Sequence, residues 1–152
     1  MNKKFVCAGL GLALGAGYAL TAYSQAKPEV LVKQRQSAMQ LQAKYFGPLA
    51  GMAQGKIPWD PKIVARNVGY LEVLTLMAWD GFAPSTKDEK SGALPAVFSD
   101  TAKFKEAENR LHGAIDQLAA AAKGGDEAAI KAAIGGVGKA CGGCHDDFRE
   151  KR

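Results

Sequence analysis

The sequence predicts an all-α fold, an antiparallel four-helix bundle, on three observations. Four segments of the 152-residue chain repeat apolar residues at steps of three and four. None alternates with a period of two over a useful length, and most of the connections are short. The chain is 47% apolar and 23% charged, the balance of one globular domain and not of a disordered polyelectrolyte. Its 18 glycines follow no three-residue period, which excludes a collagen-like chain.

Before the first helix comes a leader. Lys3 and Lys4 precede an apolar run from Phe5 to about Leu20, and Ala22-Tyr23-Ser24 forms a small-x-small cleavage box. This is the pattern of a secretory signal peptide over residues 1–24. The competing reading, an uncleaved membrane anchor, is weakened by Gly9, Gly11, Gly15 and Gly17 in a run of about the minimum spanning length. Cleavage between Ser24 and Gln25 leaves residues 25–152 as one domain, with no other segment apolar enough to cross a membrane. It also removes Lys3, Lys4 and Cys7, so the formal charge of +5 falls by two and two cysteines remain. The 20 basic and 15 acidic residues are mixed along the chain, which argues against a nucleic-acid partner.

The first helical segment opens at Pro28, a good first-turn residue, and runs to about Met52. Its inward positions are Leu31, Arg35, Ala38, Met39, Gln42, Phe46 and Leu49. Gly51, Gly55 and Pro58 punctuate the connection. The second opens with an N-cap and first-turn proline, Asp60-Pro61, and its apolar pattern continues to Trp79. Residues 80–95, rich in Gly, Pro, Ser and charge, read as the longest loop. Ser99 and Asp100 are cap candidates for the third helix, whose stripe runs from Phe104 to Ala122 before Gly124-Gly125 stops it. The fourth starts at about Asp126 and carries Ile130, Ile134, Val137, Cys141, Cys144 and Phe148 at helical spacing.

That last helix contains Gly135, Gly136, Gly138, Gly142 and Gly143, each costing about 0.5–1 kcal/mol relative to alanine. A large flat group pressed against the backbone would offset the penalty. Within the same stretch stands Cys141-Gly142-Gly143-Cys144-His145, a C-x-x-C-H sequence of the kind that attaches c-type haem. Cysteines at i and i+3 share one helix face, so their sulfurs can form two thioethers to one porphyrin edge. The next residue, His145, then projects an imidazole towards the iron. A thioredoxin-like dithiol needs a βαβ setting that is missing here. A zinc site needs four ligands, and only the distant His112 is left to add to these three. A disulfide across two residues of a helix is geometrically awkward. Export also suits haem c, which is attached outside the cytoplasm.

The motif lies close to the C-terminus, on the last helix. Here the chain resembles class II c-type cytochromes, the cytochrome c′ and cytochrome c-556 family. The resemblance runs from Lys27-Pro28-Glu29 through Arg35-Gln36-Ser37-Ala38, Trp79-x-x-Phe82 and Ser99-Asp100. It continues in Gly136-Val137-Gly138-x-x-Cys141-x-x-Cys144-His145-Asp146 and ends at Phe148-Arg149. It implies one haem c held by Cys141 and Cys144, with His145 as the proximal iron ligand and Arg149 beside it. Arg35 and Gln36 match a pair that contacts a haem propionate, and Trp79 and Phe82 match pocket-lining aromatics. Met39 departs from the high-spin pattern, in which this position holds Leu, Phe or Tyr. In the low-spin c-556 type a methionine there is the sixth ligand. A methionine that simply fills space is the competing reading.

Two functions follow from the resemblance. One is a periplasmic electron carrier that meets redox partner proteins. The other is a cytochrome c′ that binds and sequesters nitric oxide or carbon monoxide at the distal haem face. Catalysis is not expected, because the inferred distal side has no His, Asp or Glu for general acid–base work, and His112 reads as a surface or rim residue. The resemblance further implies a homodimer packed through the first two helices.

Overall fold

The computed structural model describes residues 26–151, so the predicted leader lies outside it. Helix α1 spans Pro28–Ala53 and continues through an interior proline, Pro48. Helix α2 spans Pro61–Leu74, and the Asp60 carboxylate caps it by accepting the N–H groups of Lys62 (2.8 Å) and Ile63 (3.3 Å). A short helix α3, Ala96–Ser99, precedes α4, Thr101–Gly124, which Asp100 caps through the N–H of Lys103. Gly125, at φ 76°, ends α4 in the left-handed conformation that glycine adopts without strain. Helix α5, Glu127–Phe148, starts at once, with Asp126 accepting the N–H of Ala129 at 2.7 Å.

The second segment stops earlier than its periodicity predicts, at Leu74 rather than Trp79. The reason lies at Thr75. In a continuing α-helix its carbonyl would accept the backbone N–H of residue 79. Instead it accepts the indole N–H of Trp79, at 2.6 Å, while the Thr75 hydroxyl donates back to Leu71. The backbone tightens to i→i+3 bonds at Leu76 and Met77, and a 3₁₀ turn covers Trp79–Phe82. The predicted loop is therefore partly ordered: a second 3₁₀ turn spans Pro84–Thr86. Its far end is tied to the end of α5, where Leu94 donates to the Phe148 carbonyl and Glu150 to the Gly92 carbonyl, both at 2.9 Å.

The four long helices form a ring in which α1 touches α2 and α5, and α4 touches α2 and α5. The short connections from α1 to α2 and from α4 to α5 make each of these pairs antiparallel. Leu49, Leu71 and Leu118 are fully buried at the centre of the main core, each contributing about 1.5–3 kcal/mol of hydrophobic stabilisation. A smaller cluster of Val97, Ala107 and Phe148 closes the end of the bundle beneath α3. Among the described residues no helix is long and apolar enough to cross a membrane.

Candidate functional site

Between the two clusters the bundle opens into a cavity of about 570 Å³. Leu71, Leu111, Ile115 and Val137 of the main core line one part of it, and Ala107 and Phe148 of the smaller cluster line another. The residues that the resemblance assigns to the haem all reach this space. Arg35, Gln36 and Met39 line it from α1, Trp79 and Phe82 from the 3₁₀ turn, and Cys141, Cys144, His145 and Arg149 from α5 and its end.

The α5 residues owe their placement to the 3.6-residue repeat. Ile134 and Val137 anchor the helix in the core, and the next turn of the same face presents Cys141 and Cys144. Both thiols are free and half-buried, and burial pushes their ionisation above the usual thiol range. The His145 imidazole is held below its ordinary value, first by burial and then by the neighbouring Arg149 charge. A neutral imidazole is the form that binds a metal.

Arg35 is 3% exposed, and its guanidinium donates to the Gly81 carbonyl and lies 4.2 Å from the centre of the Phe82 ring. Burial lowers its proton affinity. No carboxylate pairs with it among the described residues, although a buried cation ordinarily needs a counter-charge. Among the described residues, the cavity lining holds Arg35, Arg149 and His145 and no Asp or Glu. Aromatic rings complete the wall: Trp79 packs on Phe82 (6.1 Å) and Phe104 (6.0 Å), and Phe104 packs edge-on against Phe148 (5.1 Å).

His112, read as a surface or rim residue, is partly exposed, and it has a partner: its Nε2 lies 3.0 Å from the Trp79 indole nitrogen. Its partner lies 33 positions away, beyond the reach of local sequence patterns. Gly142 and Gly143 are exposed and do not line the cavity, so they do not make room for a group inside it. A side-chain carbon at Gly138 would meet Phe46 at 3.7 Å, an ordinary contact. The glycine that close packing does require is Gly81, which the composition of its loop did not single out.

The cavity fits a haem c by its own chemistry. It is a mainly apolar and aromatic slot with two free thiols and an imidazole on one helix, and a buried arginine lacking an anion such as a propionate would supply.

Comparison with known proteins agrees with this chemistry. A family model described as cytochrome C′ matches residues 30–149. The cytochrome c′ of Rubrivivax gelatinosus is 48% identical over 126 residues, which are 82% of this chain and 98% of that one. Its crystal structure superposes with a TM-score of 0.79 at 46% identity, over the same shares of the two chains. Variants of the Alcaligenes xylosoxidans cytochrome c′, solved with nitric oxide and with carbon monoxide bound, each superpose with a TM-score of 0.77 at 40% identity. Each covers 83% of this chain and 98% of its own.

Proposed function

The chain belongs to the cytochrome c′ family of haem c proteins, and on that premise we propose that it is a periplasmic electron carrier. The reading gives residues 1–24 the role of a cleaved signal peptide and residues 25–152 that of the haem domain. It rests above all on the convergence of Cys141, Cys144 and His145 on one wall of a cavity whose lining also includes Met39. Cys141 and Cys144 anchor the cofactor through two thioethers, and His145 is the proximal ligand. Haem iron supplies the one-electron chemistry between its ferric and ferrous states. Burial and Arg149 keep the His145 imidazole neutral and free to donate its lone pair. Arg35 would neutralise a propionate to which Gln36 could hydrogen-bond, and Trp79 and Phe82 would exclude water from the bound cofactor. In this reading Met39 is the sixth ligand.

A second reading is favoured by the absence of carboxylates from the cavity lining and by its many apolar side chains. An apolar distal space walled by Met39 suits a neutral diatomic such as nitric oxide or carbon monoxide. Carbon monoxide added to the reduced protein separates the two. A carrier closed by Met39 keeps its spectrum, whereas an open distal face gives a saturable change.

The exposed face of the first two helices supports a homodimer. Val30 and Leu41 on α1, Tyr70 and Val73 on α2, and Leu76 and Met77 just beyond are all large apolar side chains left in solvent. A second copy of the chain covers this face in the proposed assembly.

A further inference from the structure

The proposed function assigns no part to His112, yet its ring is held in a defined arrangement. The Trp79 indole has one N–H and no acceptor. Its nitrogen lies 2.6 Å from the Thr75 carbonyl oxygen and 3.0 Å from His112 Nε2, and that imidazole nitrogen is 3.3 Å from the same carbonyl. One N–H can be shared between two acceptors. It cannot be shared with a second donor. A hydrogen on Nε2 would set two N–H groups against each other at 3.0 Å. The observed spacing therefore suits an Nε2 that is bare, in a neutral imidazole carrying its proton on Nδ1.

We propose that His112 is a positioning residue for the cavity wall: its bare Nε2 fixes the Trp79 indole, and a proton taken up on Nε2 releases it. The ring planes of Trp79 and His112 stand at 88°, with centroids 5.5 Å apart, so the indole edge is aimed at the imidazole. What moves Trp79 moves the wall. Trp79 packs on Phe82, over which the Arg35 guanidinium lies, and on Phe104, which leads to Phe148 three residues beyond His145. The charged groups nearest in sequence to this cluster are Glu108, Arg110 and Asp116 on α4, Glu72 near the end of α2, and Asp80 beside Trp79. No ion pair or hydrogen bond joins any of them to the His112 ring among the described residues, and Glu108 is held by Lys105. The proton thus comes from solvent, to which the residue is partly exposed.

The inference rests on the proposed haem site for its optical readout alone. The test uses the haem-loaded, ¹⁵N-labelled ferrous protein over about pH 5–8, the window in which imidazoles change charge. The two indole N–H resonances are assigned with Trp79→Phe. The expected result is a single-proton shift of the Trp79 resonance with Trp59 unmoved, and a Soret shift with the same midpoint. In His112→Gln, whose amide oxygen accepts without titrating, both signals stay flat. A Trp79 resonance that is flat in the parent protein, or one that still titrates in His112→Gln, overturns the proposal. So does an indole shift with no Soret response. A chain lacking covalent haem contradicts the proposed function instead and leaves the indole titration readable.

Discussion

Gly81 is packed against Arg35 so closely that a methyl group on the glycine would overlap the arginine Cβ and stand 2.7 Å from the Leu31 carbonyl oxygen. The contact brings the 3₁₀ turn down onto α1, and it lets the Gly81 carbonyl accept the buried guanidinium. A glycine is required here by close approach, not by backbone conformation.

Gly81→Ala is therefore an overpacking change with no flexible neighbour to yield, because the obstacles are a Cβ and a backbone oxygen. It is expected to destabilise the fold by about 1–3 kcal/mol. Denaturant unfolding of the haem-loaded protein measures this, and an unchanged midpoint would contradict the packing argument.

Arg35 provides the second test. In the proposed site the buried Arg35 cation opposes the extra positive charge of ferric iron and so favours the ferrous state. Arg35→Met keeps much of the packing and removes the charge. The reduction potential should fall, with a smaller change on going to Arg35→Lys. A potential that does not move in Arg35→Met would separate the guanidinium from the haem.

Met39 decides between the two functional readings. With Met39 as sixth ligand, Met39→Leu converts a six-coordinate ferrous spectrum into a five-coordinate one and opens the protein to carbon monoxide. With Met39 as a wall, the parent protein is already five-coordinate and the variant keeps that spectrum. Absorption of the reduced parent and variant, with and without carbon monoxide, reads this directly.

The apolar α1–α2 face makes a prediction about assembly. Val73 on this face is 53% exposed, so Val73→Glu costs the monomer little and places a charge inside an isologous contact built on the face. Sedimentation should show a dimer in the parent protein and a monomer in the variant, with the haem spectrum unaltered. A dimer that survives the glutamate moves the interface elsewhere.

Much of this molecule was legible in its residues because the signals were local. Asp60 caps the helix it was expected to cap, and of the two candidates Ser99 and Asp100 it is Asp100 that caps α4, since an aspartate oxygen accepts the free N–H groups of the turn beside it. Cys141, Cys144 and His145 share a cavity because their spacing and the helical period dictate it. What was missed depends on distant partners. The end of α2 is set by an indole N–H that takes the Thr75 carbonyl away from the helix. The loop is pinned by backbone bonds between Leu94 and Phe148 and between Glu150 and Gly92. The partner of His112 was not legible because Trp79, 33 positions away, approaches it only after folding.

Covalent haem attachment is tested most directly by the intact mass of the exported mature chain under denaturing conditions. The expected mass is that of residues 25–152 plus one haem, resistant to extraction, with no haem in a Cys141→Ser, Cys144→Ser double variant. A bare chain, or a haem that extracts freely from the parent protein, would contradict it.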